Sequence, residues 1–135
     1  MASSSEGYHE PLEELSDKTR DMHRALVSLQ EELEAADWYN QRVDACKDEE
    51  LRAILAHNRD EEKEHAAMLL EWLRRNDPLI DAVLKTYLFS SGAITEVEAS
   101  ATAGERASGS VGGGTPAGPA PPHSTVLTVG SLIGK

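Results

Sequence analysis

Between Pro11 and Pro78 the chain has neither proline nor glycine. Leu, Glu, Ala and Arg dominate this stretch, and all four favour helix. Apolar residues recur at alternating steps of three and four: Leu12, Leu15, Thr19, Met22, Leu26, Leu29, Leu33 and Ala36. That spacing is a coiled-coil-like seam. Pro11 suits a first helical turn, with Glu13 and Glu14 well placed for the helix dipole, so a helix is expected from Pro11 to Tyr39 or a little beyond. A short turn is expected near 44–48, with Asp48 as cap of a second helix and Glu49 and Glu50 in its first turn. The second stripe is Leu51, Leu55, Asn58, Glu62, His65, Leu69 and Trp72, and Arg74 and Arg75 fall in the last turn. Asp77-Pro78 then opens a third helix carrying Ile80, Val83, Leu84, Tyr87 and Leu88, which Gly92 is expected to stop.

With 135 residues there is room for one domain. The net charge of −11 argues against a nucleic-acid-binding face. No apolar run approaches the ~20 residues that span a bilayer. Residues 1–10 lack the basic and apolar pattern of a signal peptide. A single cysteine, Cys46, excludes an intrachain disulfide and fits a reducing cytoplasm. Charge is uneven, since 23 of the 24 acidic residues precede residue 99. In residues 104–124, ten of 21 positions are Gly or Pro, a composition that reads as a flexible linker. Apolar residues return at 125–135. The expected organisation is therefore a flexible N-terminus (1–10), a helical domain (11–98), a linker (99–124) and a terminal peptide (125–135).

The second stripe holds an anomaly. Asn58, Glu62 and His65 sit where leucines flank them. A buried carboxylate is costly unless paired or metal-bound. Glu62 and His65 are spaced i, i+3, and Glu-x-x-His on an inward face is the ligand motif of di-iron helical bundles. With the turn centred near 46–47, an antiparallel hairpin brings Glu32 roughly level with Glu62. One chain then supplies half of a two-metal site. A symmetric dimer would complete it with two Glu32, two Glu62 and two His65. Such a donor set suits Fe(II) or Mn(II). Tyr39, seven residues from Glu32, lies on the same flank and could donate a hydrogen bond to a ligand or supply an electron. The competing reading is a polar layer that only sets helix register.

Two further acidic groups stand out. Glu31, Glu34 and Trp38 share a face and could hold a hydrated cation in passing. His57, Glu61 and Glu64 could bind a surface metal. For both, an ordinary solvated face is the plainer reading. His9, His23 and His123 have no matching partners, and Cys46 lacks the neighbours of a nucleophile. Two long helices and one short one cover too little apolar surface alone, so association is expected. The fold class is all-α: an antiparallel two-helix hairpin plus a short C-terminal helix, dimerising into a ferritin-like four-helix bundle.

The stretches Glu31–Tyr39, Ile54–Met68, Glu71–Asp77 and Thr86–Phe89 closely resemble the encapsulated ferritin family, and the resemblance spans roughly residues 9–98. It implies a ferroxidase that oxidises Fe(II) with O₂ at a di-iron site formed between two subunits, within a ring-shaped decamer. It places the ligands on Glu32, Glu62 and His65, and an attraction site for Fe(II) on Glu31 and Glu34, with Trp38 beside it. Tyr39 falls near the iron, and His57, Glu61 and Glu64 match a peripheral metal site. Calcium, manganese or zinc are further candidate occupants of the same or peripheral sites. The segment Leu127–Ile133 looks like the peptide that docks cargo inside an encapsulin shell, through Leu127, Val129, Leu132 and Ile133. Ile133 departs from the basic residue many such peptides carry there. The resemblance thus implies a cytoplasmic protein enclosed in a prokaryotic nanocompartment. A rubrerythrin-like di-metal peroxidase and a purely structural oligomerisation module are the rivals.

Overall fold

The computed structural model describes residues 7–108. Its elements are a 3₁₀ turn at Leu12–Glu14, α1 at Asp17–Ala45, α2 at Glu49–Asn76, α3 at Pro78–Tyr87 and α4 at Ile94–Ser108. The described residues contain no strand. The secondary structure of the described residues is all-helical, as expected.

Helix α1 begins later than Pro11. Ser16 is its cap, the hydroxyl oxygen accepting the Thr19 N–H at 3.2 Å. Pro11 leads instead into the 3₁₀ turn, and Arg20 donates back to the Leu12 carbonyl. The Tyr8 ring rests against His23 with centroids 4.2 Å apart, so the segment preceding α1 doubles back on it. The 29 residues of α1 extend roughly 44 Å at ~1.5 Å per residue.

The connection to α2 is three residues long, and Asp48 caps α2 by accepting the Leu51 N–H at 2.8 Å. Asp77 closes α2 through its N–H to the Leu73 carbonyl at 2.9 Å. The same residue caps α3, its carboxylate accepting from the N–H groups of Leu79 and Ile80 at 2.9 and 3.1 Å. Arg74 ties the two helices together. It donates twice to Glu71 on α2 and once to Asp81 on α3, while Lys85 reaches Asp81 at 2.8 Å.

Helix α3 stops at Tyr87, short of Gly92. Leu88 turns extended, at φ −68° and ψ 139°, and ends the helix; Phe89 follows at a positive φ of 59°, a conformation costly for any residue with a Cβ. Gly92, at φ 87°, then turns the chain into α4. That helix crosses the boundary expected after residue 98 and covers the first part of the stretch read as linker. The reason is local: glycine and proline crowd only beyond Ser108, and Glu96, Ala99, Ala101, Ala103 and Glu105 favour helix.

Only Ala25, Ala66 and Leu73 are buried among the described residues. Two of the three are alanines, which let α1 and α2 approach closely. The apolar stripes do not point wholly inward, contrary to expectation. Leu26, Leu33, Leu51 and Trp72 belong to them and are exposed, with Leu33 at 57%. A hairpin covers only one side of each helix. On α2 the covered line runs through Glu62, Ala66, Leu69 and Leu73: Glu62 and Leu69 belong to the predicted stripe, and Ala66 and Leu73 each lie one residue beyond it, next to His65 and Trp72.

Candidate metal centre

Helix pairing in antiparallel register brings together three ligands from distant parts of the chain. Glu32 projects from α1. Glu62 and His65 project from α2 one turn apart. His65 Nδ1 lies 3.3 Å from Glu62 Oε2 and 3.6 Å from Glu32 Oε2. One ligand atom from each falls within 4.8 Å of the others, and this is the one such group of three metal-ligating side chains among the described residues. Both carboxylates are largely covered, while His65 is half exposed, its side chain retaining 50% of its accessible surface.

The electrostatics follow from crowding. A hydrogen bond with Glu62, then desolvation, push the Glu32 carboxyl above its ordinary range. The reciprocal bond holds Glu62 below it, with His65 helping. The Glu62 carboxylate, with Glu32 behind it, raises His65. Two carboxylates thus stand together with an imidazole alongside, their ligand atoms within 4.8 Å of one another. A divalent cation held by these three groups would relieve the crowding of charge. Two carboxylates and one imidazole suit Fe(II), Mn(II) or Zn(II), so the residues present fit a bound metal.

The other candidates are not gathered in this way. Tyr39 is half-buried beneath the Arg42 guanidinium, 5.3 Å from its ring centroid, and no hydrogen bond joins it to the ligand group among the described residues. Glu31 and Trp38 are exposed and Glu34 is half-exposed, on a helix side that meets no third ligand. His57 Nε2 pairs with Glu61 Oε1 at 3.0 Å, and Glu64 does not complete a three-ligand group with them. Cys46 donates weakly from Sγ to the Asp48 carbonyl at 3.5 Å. His123 and the terminal Leu127, Val129, Leu132 and Ile133 lie outside the described residues. Sequence reasoning passed over Arg59, one turn before Glu62, which forms the side-chain bridge to α1 taken up below. Its i−3 spacing from a candidate ligand was the available signal.

A family model described as EncFtn-like matches residues 7–91. The chain is 58% identical to the "Encapsulated ferritin-like protein" of Rhodospirillum rubrum, over its whole length and 94% of that protein. The chain belongs to the encapsulated ferritin family. A "Ferritin-like protein" of Thermotoga maritima is 60% identical over 76% of this chain and 90% of its own. An "Encapsulin nanocompartment cargo protein" of Myxococcus xanthus is 39% identical, covering 78% of this chain and 79% of its own. A crystal structure of a Nitrosomonas europaea protein superposes with a TM-score of 0.64 at 74% identity, covering 65% of this chain and 97% of that one. Its likeness carries the ferritin-like helical fold to this encapsulated ferritin. No helix among the described residues is long and apolar enough to cross a membrane.

Proposed function

We propose that this chain is a ferroxidase: it oxidises Fe(II) to Fe(III) with O₂ at a di-iron site completed by a second copy, inside an encapsulin compartment. The observation that carries the reading is the convergence of Glu32, Glu62 and His65 across α1 and α2. Carboxylate-bridged two-metal sites take one Glu from each of two helices and a Glu-x-x-His pair from each of two others. One hairpin offers half of that set. The side of α2 carrying half-exposed His65 also carries Leu51, Ile54, Met68 and Trp72, all exposed. A second copy laid on this side would cover apolar surface and bring the missing Glu32, Glu62 and His65.

Fe(II) is the substrate here. Four carboxylates from two chains balance two divalent ions. Glu32 and His65 coordinate in their deprotonated forms, so any proton either group carries is released on binding. Each Fe(II) yields one electron. Reduction of one O₂ to water therefore takes four electrons and four protons, two rounds of a two-ion site. Glu31 and Glu34, on the exposed side of α1, supply a negative surface that draws Fe(II) towards the hairpin.

The relatives named as encapsulated or as encapsulin cargo support enclosure in a shell. The terminal Leu127, Val129, Leu132 and Ile133 are the residues proposed to dock it there, with the Gly- and Pro-rich stretch giving reach. Pairs of hairpins would assemble further into a ring-shaped decamer. The decisive test is Fe(II)-dependent O₂ consumption by the purified protein beside a folded Glu32→Ala, Glu62→Ala, His65→Ala variant. Uptake in the native protein that the variant lacks supports the reading. Equal uptake in both overturns it, and a faster reaction with hydrogen peroxide than with O₂ would favour a peroxidase.

A further inference from the structure

Apart from the ligand group itself, one side-chain hydrogen bond joins α1 to α2 among the described residues. Arg59 Nη1 donates to Asn40 Oδ1 at 3.1 Å. The guanidinium is held for this task on its other edge. Asp60 accepts from Nε at 2.9 Å and from Nη2 at 3.4 Å. Lys63 in turn holds Asp60, at 3.0 Å. The Arg59 side chain is mostly covered, keeping 22% of its accessible surface, so its stem packs between the helices.

The place of this bridge matters. Arg59 stands one helical turn before Glu62 on α2. Asn40 stands about two turns after Glu32 on α1. The three-residue connection sets the register of α1 against α2 at one end; outside the ligand group, this bridge is the side-chain hydrogen bond that restrains it beyond the turn among the described residues. A guanidinium fork clamped by a carboxylate has a defined direction, so its third N–H reaches an acceptor in only one register. The ligand group needs such a restraint. Two carboxylates held face to face favour sliding apart whenever both are ionised.

We infer that Arg59 is a positioning residue that, through Asn40, locks α1 and α2 in the register that keeps Glu32 beside Glu62 and His65 before metal arrives. This rests on the ligand group proposed above as the iron site. Arg59 does not touch the metal. It acts by lowering the rearrangement that binding would otherwise require.

The test is a double-mutant cycle on Co(II) affinity, using the full chain and titration calorimetry, with helix content checked by circular dichroism. Arg59→Lys keeps the charge but loses the clamped fork. Asn40→Ala removes the acceptor alone. Each is expected to weaken Co(II) binding roughly three- to tenfold, the size of one net hydrogen bond, at unchanged helix content. The double variant is expected to bind no more weakly than the worse single one, because both remove the same bridge. A charge effect predicts that Arg59→Lys binds as the native protein does, and a general loss of stability predicts losses that multiply; either result overturns the inference. Native protein that binds Co(II) while all variants bind equally well overturns only the clamp. Native protein that binds no Co(II) overturns the proposed iron site, and the clamp with it.

Discussion

Glu32 and Glu62 bring their carboxylates together across the helix pair, with ligand atoms within 4.8 Å of one another, and the neighbouring Glu62 raises the Glu32 carboxyl above its ordinary range. A metal-free hairpin therefore holds two acids where their charges conflict. Glu32→Gln keeps the shape but removes the conflict. The variant is expected to unfold at the same temperature as the metal-free native protein or higher. It should also lose most of the rise in melting temperature that Co(II) gives the native chain. Differential scanning calorimetry with and without Co(II) checks both halves.

The same cluster sets a pH dependence of opposite sign with and without metal. His65 is raised by its carboxylate neighbours, so the folded metal-free protein binds this proton more tightly than the unfolded chain. That contribution is complete below the ordinary histidine value of about 6.5 and is lost as pH rises through the raised one. Glu32, also raised, acts in the same direction at lower pH. Metal needs both groups deprotonated, so its affinity climbs over the same interval. Melting curves from about pH 5.5 to about pH 8.5 should show the gain on adding Co(II) widening with pH. A gain that shrinks with rising pH would contradict the ligand assignment.

Arg74 governs the attachment of α3. Its hydrogen bonds, with those of Arg75, hold Glu71 down to about 2, and Lys85 followed by Arg74 lower Asp81. Depressed carboxylates stabilise the fold above their ordinary range of about 4 and lose that effect as pH falls towards their folded values. Acid should therefore loosen α3 between about pH 4 and about pH 2. Arg74→Ala is expected to remove most of this acid sensitivity, with a modest effect at neutral pH because the pairs are partly solvated. Acid titration followed by circular dichroism reads the difference.

Asp77 serves two helices at once, but truncation takes only its part in α3, because its backbone N–H still reaches the Leu73 carbonyl. Asp77→Ala removes the acceptor of two N–H groups at the start of α3. Loss of a cap costs about 1 kcal/mol, equivalent to about 4–8 °C in a domain of this size. Asp77→Asn, which still accepts, should recover most of the loss.

Met68 is 65% exposed on the side of α2 that bears His65. Met68→Glu should shift the protein towards single chains in sedimentation at micromolar concentration. It should weaken Co(II) binding along with association, though Met68 is no ligand. Unchanged association would place the partner on another side of the hairpin.

The features legible in the sequence were the ones decided locally. Asp48, and Asp77 followed by proline, announced the ends of α2 correctly because a cap depends on a few adjacent residues. The Glu32–Glu62 pairing followed from counting out from the turn, since helical rise is fixed. The start of α1 was misplaced because Pro11 drew the reading, while Ser16, five residues on, carries the hydroxyl that accepts the Thr19 N–H. Helix α4 was hidden by a composition window that averaged its alanines with the glycines beyond them. Asn40 and Arg59 could not be paired from sequence, because the bridge depends on where Asp60 turns the guanidinium. The direction of the apolar stripes was also underdetermined: spacing shows that a helix has an apolar side, not which neighbour covers it.

Among the described residues, Ala25, Ala66 and Leu73 alone are hidden from water. Where a second copy covers the rest, as proposed above, folding becomes a second-order process. Dilution then acts on it as denaturant acts on an ordinary domain. Its melting temperature has meaning only beside a stated concentration, and confinement at high local density is itself a stabilising condition.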